Sequence, residues 1–147
     1  MTTFPREEIE ATMKRFIAAN RKAEQEANWE PLAEFYSDDA VYVYAGLAAG
    51  ALVEARGREE IRRIVMARDM EDYRGWSFPH EWVVIDGNRI VTKFQNRAPG
   101  RRADGSYYET PGVSVFEYGG NGKFKTQWDL FDRLSVKAVK EDSEARR

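Results

Sequence analysis

The apolar residues of this chain change period once, near residue 76, which divides it into a helical front and a stranded back. Ile9, Met13, Phe16, Ile17 and Asn20 recur at spacings of three and four, with Lys14, Arg15, Arg21 and Lys22 elsewhere. That spacing predicts an amphipathic helix running to about Ala27, opened by Pro5 and by Glu7 and Glu8, which suit the positive end of a helix. Pro31 opens a second, short helix with Leu32, Phe35 and Tyr36 inward, broken by Ser37-Asp38-Asp39 ahead of a short strand over 40–44. The Gly- and Ala-rich stretch 45–56 reads as a loop or a hairpin. Gly57-Arg58-Glu59-Glu60 then starts a third helix with Ile61, Ile64 and Val65 as its buried stripe. From Trp76 onward the period is that of strands. Phe78 to Ile85 and Arg89 to Arg97 meet at Asp86-Gly87, a short hairpin signal. After a polar connection over 98–106, Tyr107 to Tyr118 and Lys123 to Leu134 flank Gly119-Gly120-Asn121-Gly122 as a last hairpin. Helices first and antiparallel strands afterwards predict one α+β domain over 1–136, a curved sheet with helices on one face. The charged stretch 137–147 reads as a tail that frays.

Composition narrows the function. With 147 residues, 42% hydrophobic and 33% charged, the chain suits one globular domain with a proper core. The lack of cysteine removes disulfides, thiolate metal sites and a cysteine nucleophile together. One histidine and no cysteine leave zinc without its usual ligands, so no metal and no cofactor is expected. Net charge is -2, which supplies no basic field for nucleic acid or anionic lipid. There is no apolar leader and no run long enough to span a bilayer, so a cytoplasmic protein is expected. Gly119 to Gly122 lies between strands with no following Lys-Ser, and is a turn rather than a phosphate loop. Aromatics at 13% suit a thick aromatic core or a site for a flat apolar ligand.

Three phrases carry a family resemblance: Leu32-Ala33-Glu34-Phe35-Tyr36-Ser37-Asp38-Asp39-Ala40, then Gly57-Arg58-Glu59-Glu60-Ile61, then Gly122-Lys123-Phe124 through Trp128 and Phe131-Asp132. In order and spacing they resemble the NTF2-like superfamily, particularly its SnoaL-like and limonene-epoxide-hydrolase-like branches. The resemblance implies a cone: a strongly curved mixed or antiparallel sheet and about three helices around an apolar pocket. It also implies a homodimer buried over Trp128. Relatives include isomerases, dehydratases, cyclases, epoxide hydrolases and proteins that only bind partners, so fold alone assigns no activity. The epoxide-hydrolase pattern falls on Tyr42 and Tyr44, on Gln95 and Arg97, and on Asp129. The tyrosine and one carboxylate persist while the Asp-Arg-Asp triad does not, which makes epoxide hydrolysis a distant third reading.

Asp129 is the central candidate. Strand alternation groups Phe124, Thr126, Trp128 and Leu130 on one face and Lys125, Gln127, Asp129 and Phe131 on the other. Taken alone, that grouping makes the first face the core and leaves Asp129 in water; the resemblance places Asp129 on the concave side. Enclosed, it becomes a usable acid or base; paired with Arg97, it stays ionised. Tyr42 and Tyr44 point the same way and could hold a substrate oxygen or merely pack. His80 faces the cavity if Phe78 and Trp82 do, and away if Val83 and Ile85 do. Arg97 or Lys93 would steady negative charge, and Gln95, Tyr108, Phe131, Trp76 and Phe16 would shape the pocket. The expectation is a cofactor-independent lyase, dehydratase or isomerase for a hydrophobic, aromatic, oxygenated small molecule, with a non-catalytic binding or dimerisation module as the alternative.

Overall fold

The computed structural model describes residues 2–46 and 52–146. Among them, β1 (Tyr36–Ala45), β2 (Leu52–Arg56), β3 (His80–Asp86), β4 (Arg89–Arg101), β5 (Tyr107–Gly120) and β6 (Lys123–Phe131) form one sheet in the order β2-β1-β6-β5-β4-β3. Neighbours run antiparallel except β1 and β6, which are parallel. Of the stretch 45–56, Ala45 and 52–56 belong to the antiparallel pair β1–β2, while 47–51 lie outside the described residues.

Helix α1 (Arg6–Glu26) lies on the inner face of the sheet and buries Ile9, Met13, Phe16, Asn20 and Ala23, the spacing its sequence predicts. The Phe16 ring meets those of Phe35, Phe116 and Phe124 edge-on, with centroids 5.4, 5.5 and 5.3 Å away, a favoured aromatic arrangement. A 3-10 turn (Glu30–Phe35) leads into β1. Helix α2 (Arg58–Glu60) continues directly as a π-helical segment (Ile61–Arg68) and a 3-10 turn (Asp69–Tyr73). The wider winding sets residues five apart one above the other. It therefore buries Met66 with Ile61 and Val65, where a 3.6-residue period points to Ile64.

Two bulges decide which side chains face inward. On β6, Glu117 of β5 faces Thr126 but Tyr118 faces Phe124, so Lys125 is left over. An extra residue reverses the alternation, and it brings Phe124 to the same face as Gln127 and Asp129. On β3, His80 pairs with Phe94 and Trp82 with Lys93, leaving Glu81 over. Phe78 and His80 therefore point inward, Trp82 points out, and Ile85 returns to the core. The two alternatives for His80 and Ile85 are both realised, one on each side of the bulge. Gly112 of β5 lies under the Phe94 ring; a Cβ there would come within 2.6 Å of it.

Three expectations need correction. Residues 137–145 are not a frayed tail: helix α3 (Arg133–Ala145) runs through them, capped by Asp132, which accepts from the amides of Leu134 and Ser135. Val136, Val139 and Ser143 follow the helical period and are buried, and Ser143 Oγ donates to the Pro99 carbonyl at 2.7 Å. Second, Trp76 and Tyr108 pack with Ala98, Val136 and Val139 in a satellite core under α3 and do not line the cavity. Third, β4 turns Ile90, Thr92, Phe94, Asn96 and Ala98 inward, so Lys93, Gln95 and Arg97 lie on the outer face.

Candidate active site

Between α1, the π-helical segment and the bent sheet lies a cavity of about 130 Å³, roughly ten times the space one enclosed water needs. Its wall is mostly aromatic and includes Phe16, Trp29, Tyr73, Phe78, Phe94 and Phe131. Asp129 stands in this wall. Ser114 Oγ donates to its Oδ1 at 2.6 Å, Gln127 Nε2 to the same oxygen at 2.9 Å, and the Tyr42 hydroxyl to Oδ2. Behind them the Tyr36 hydroxyl donates to Gln127 Oε1, and Gln127 Nε2 also donates to the Tyr42 oxygen at 2.9 Å. The Asp129 side chain is half-buried, and the surface it keeps opens on the cavity. Desolvation raises its pKa above the ordinary aspartate value, against the lowering effect of Ser114, Tyr42 and Gln127. The same burial, with Asp129 nearby, drives the phenols of Tyr36 and Tyr42 far up, so both remain neutral donors.

Arg97 does not pair with Asp129. Its Nε binds Glu109 Oε2 at 2.7 Å, and its guanidinium lies 3.7 Å over the Tyr107 ring on the outer face. Lys93 and Gln95 both hold Glu81, at 2.7 and 2.6 Å. These three residues, expected in the pocket, lie on the outer face instead, because β4 alternates without interruption from Arg89 to Arg97.

A second carboxylate reaches the cavity where no strand pattern could announce it. Tyr44 donates to Asp69 Oδ2, and Arg68 Nε holds Asp69 Oδ1 at 2.8 Å. Burial, then that hydrogen bond and the Asp69 charge, push the Tyr44 phenol well above its usual value. Burial, helped by Asp72 and Asp69, pushes Tyr73 to about 12. Asp69, Gln127, Ser114, Tyr36, Asn20 and Asn96 are the polar wall residues that sequence reasoning did not select. Three of these had a signal: Asn20 and Tyr36 in the helical stripes, and Gln127 in its place two residues before Asp129.

His80 forms the opposite part of the wall, between the Phe16 and Phe94 rings at 6.5 and 5.9 Å. Desolvation, with a smaller push from Arg21, lowers its pKa to about 4, so the imidazole is neutral at physiological pH. Its Nδ1 is enclosed without a partner among the described residues. No cluster of three or more metal-ligating side chains occurs among them either.

The sequence profile of the SnoaL-like domain matches residues 7–126. The chain belongs to that family. Its solved relatives share the architecture at low identity. An NTF2-like protein of unknown function from Burkholderia pseudomallei aligns over 87% of this chain and 96% of its own, at 16% identity and TM-score 0.65. A candidate isomerase from Bacillus subtilis covers 90% and 92% at 22% identity and TM-score 0.64. A candidate SnoaL-like polyketide cyclase from Jannaschia sp. CCS1 covers 95% and 96% at 14% identity and TM-score 0.62. No curated protein matches significantly. The SnoaL-like chain thus has the NTF2-like α+β fold, with an open six-stranded sheet. No helix among the described residues is long and apolar enough to cross a membrane.

Proposed function

We propose that this SnoaL-like protein is a cofactor-independent acid/base enzyme, a lyase, dehydratase or isomerase, for a hydrophobic, aromatic, oxygenated small molecule. The observation that carries the reading is a desolvated carboxylate, Asp129, bonded to neutral donors and separated from Arg97 by the sheet itself. A general base works best with a pKa near the operating pH; the raised Asp129 moves toward it, whereas His80, near 4, is too weak a base. His80 therefore serves as a neutral polar wall and Asp129 moves the proton.

The hydrogen bonds favour one oxygen of the pair. A carboxylate offers about four lone-pair sites. Oδ1 already accepts two donors and Oδ2 only Tyr42, so Oδ2 takes the substrate proton. Once it does, the Tyr42 hydroxyl, itself held by Gln127, is released to turn its hydrogen toward developing charge on a substrate oxygen. The candidate isomerase and candidate polyketide cyclase among the structural relatives accord with proton-transfer chemistry in such a cavity.

The outer face supports a homodimer. Val84, Val91, Val115 and Trp128 stand in register across four strands, with Trp82, Lys93, Val113 and Leu130 beside them. Trp128 and Leu130 are 47% and 53% exposed, a self-complementary apolar band suited to a second copy.

Turnover of a panel of aromatic diols, hydroxy ketones and epoxides by wild type and Asp129→Asn tests the chemistry. Loss of turnover with binding retained supports the base; equal turnover removes Asp129 from the mechanism. Binding of the panel without turnover by wild type marks a binding module, and turnover confined to epoxides marks the hydrolase.

A further inference from the structure

The polar side-chain hydrogens around Asp129 are all committed within the wall. Tyr36 donates to Gln127, Tyr42 and Ser114 donate to Asp129, and Tyr44 donates to Asp69. Gln127 Nε2 donates to both Asp129 Oδ1 and the Tyr42 oxygen. What these groups turn to the cavity is therefore lone pairs. Asp129 Oδ2 accepts only from Tyr42, and no described residue donates to the Tyr44 oxygen. Tyr44 and Asp129 are partners in the parallel register of β1 and β6, so their side chains stand next to each other on the inner face. Both are half-buried and line the cavity, and the Asp129 charge is felt at the Tyr44 phenol.

The charge here is one-sided as well. Asp129 and Asp69 both stand in the wall, and among the described residues no lysine or arginine lines it. Arg68 answers Asp69 from outside: its Nε meets Oδ1 at 2.8 Å, and its side chain is 62% exposed. Asp129 has neutral donors alone, and a desolvated carboxylate without a cation is a costly arrangement. Aromatic faces attract cations too. The Tyr42 and Tyr44 rings meet edge-on at 5.8 Å, and Phe131 lines the same cavity two residues beyond Asp129.

These features select among ligand groups. A carbonyl or carboxylate oxygen would set lone pair against lone pair. A hydroxyl supplies one hydrogen and leaves the charge unanswered. An ammonium supplies three donors, no acceptor and the missing positive charge.

We propose that this end of the cavity is a site for the ammonium group of an arylalkyl amine, which donates to Asp129 Oδ2 and to the Tyr44 oxygen. Asp69, by holding the Tyr44 hydrogen, keeps the lone pairs of that phenol turned to the cavity. The proposal rests on the reading of Asp129 as the base in one respect: the hydrogen set against Oδ2 is then one of the ammonium's own. On transfer the N–H bond breaks and its electron pair stays on nitrogen. A neutral amine and a neutral carboxyl then replace two charges in a desolvated site.

Equilibrium titration at pH 7 with 2-naphthylmethylamine, 2-naphthylmethanol and 2-naphthoate tests this, because the three share a ring system and differ in one group. Wild type binds the amine about tenfold more tightly than the alcohol, the margin of a charge-assisted hydrogen bond over a neutral one, and the carboxylate most weakly. Asp129→Asn brings amine and alcohol to within about twofold of each other, and Tyr44→Phe narrows the preference to about threefold. Should Asp129→Asn fail to fold, Tyr44→Phe decides. Equal affinity of wild type for amine and alcohol, or binding of none of the three, overturns the site. So does a preference that persists in every folded variant. Asp129→Asn that loses the preference yet turns over an accepted substrate like wild type keeps the ammonium site and removes the base. The reverse outcome keeps the base and removes the site.

Discussion

Two carboxylates on the same sheet meet opposite fates. Asp129 faces the cavity, bonded to Ser114, Gln127 and Tyr42, and burial raises its pKa. Glu81 sits in the bulge of β3 on the outer face, where Lys93 first and Gln95 second lower its pKa. Neither residue's neighbours in sequence explain the difference. Removing water raises a carboxyl's pKa unless a cation answers it, and on this protein the β4 cations Lys93 and Arg97 both answer on the outer side. The sheet acts as a partition between reactive and merely paired charge.

The largest expected effect is on turnover. Asp129→Asn should cut kcat by about 10²–10⁴-fold, the usual worth of a positioned base, measured on any substrate the wild type accepts. The same variant should be more stable than wild type near neutrality. A carboxyl whose pKa rises on folding stabilises the fold when protonated and loses that contribution as pH rises through its folded value. Denaturant melts should show the variant's advantage shrinking as pH falls. A variant less stable than wild type at pH 7 would mean the three donors outweigh desolvation.

His80 carries the opposite sign. Its pKa falls on folding from 6.5 to about 4, so the unfolded chain binds the extra proton between those values. Its contribution should be lost as pH falls through that window, by about 3 kcal/mol in all. His80→Phe, in a wall already made by Phe16 and Phe94, should flatten stability against pH there. An unaltered acid limb in urea melts would show that His80 is solvated.

Trp128→Glu should weaken self-association by roughly 30-fold, the loss of one aromatic anchor, in sedimentation equilibrium. A wild type that stays monomeric at all concentrations would sink the dimer. The smallest effect belongs to Arg97→Met, which removes the Glu109 pair and the Tyr107 contact. It should cost about 1 kcal/mol and leave turnover unchanged, whereas a large loss of turnover would return Arg97 to the chemistry.

Periodicity and turn residues predicted α1, the β3–β4 and β5–β6 hairpins and the α+β class, because those depend on short-range spacing that each segment carries within itself. Tyr42, Tyr44, Phe16, Phe131 and Asp129 line the cavity as the family resemblance implied. The helical period of Val136, Val139 and Ser143 was equally present in the chain but masked by the charges around it. What sequence could not show was the count of residues between pairing partners. Lys125 and Glu81 are each one residue too many for their partner strand, and one residue is all that separates inside from outside when side chains alternate. Only the paired sheet counts them, and so only the tertiary structure decided that Asp129 and His80 face each other's cavity while Arg97 and Lys93 do not.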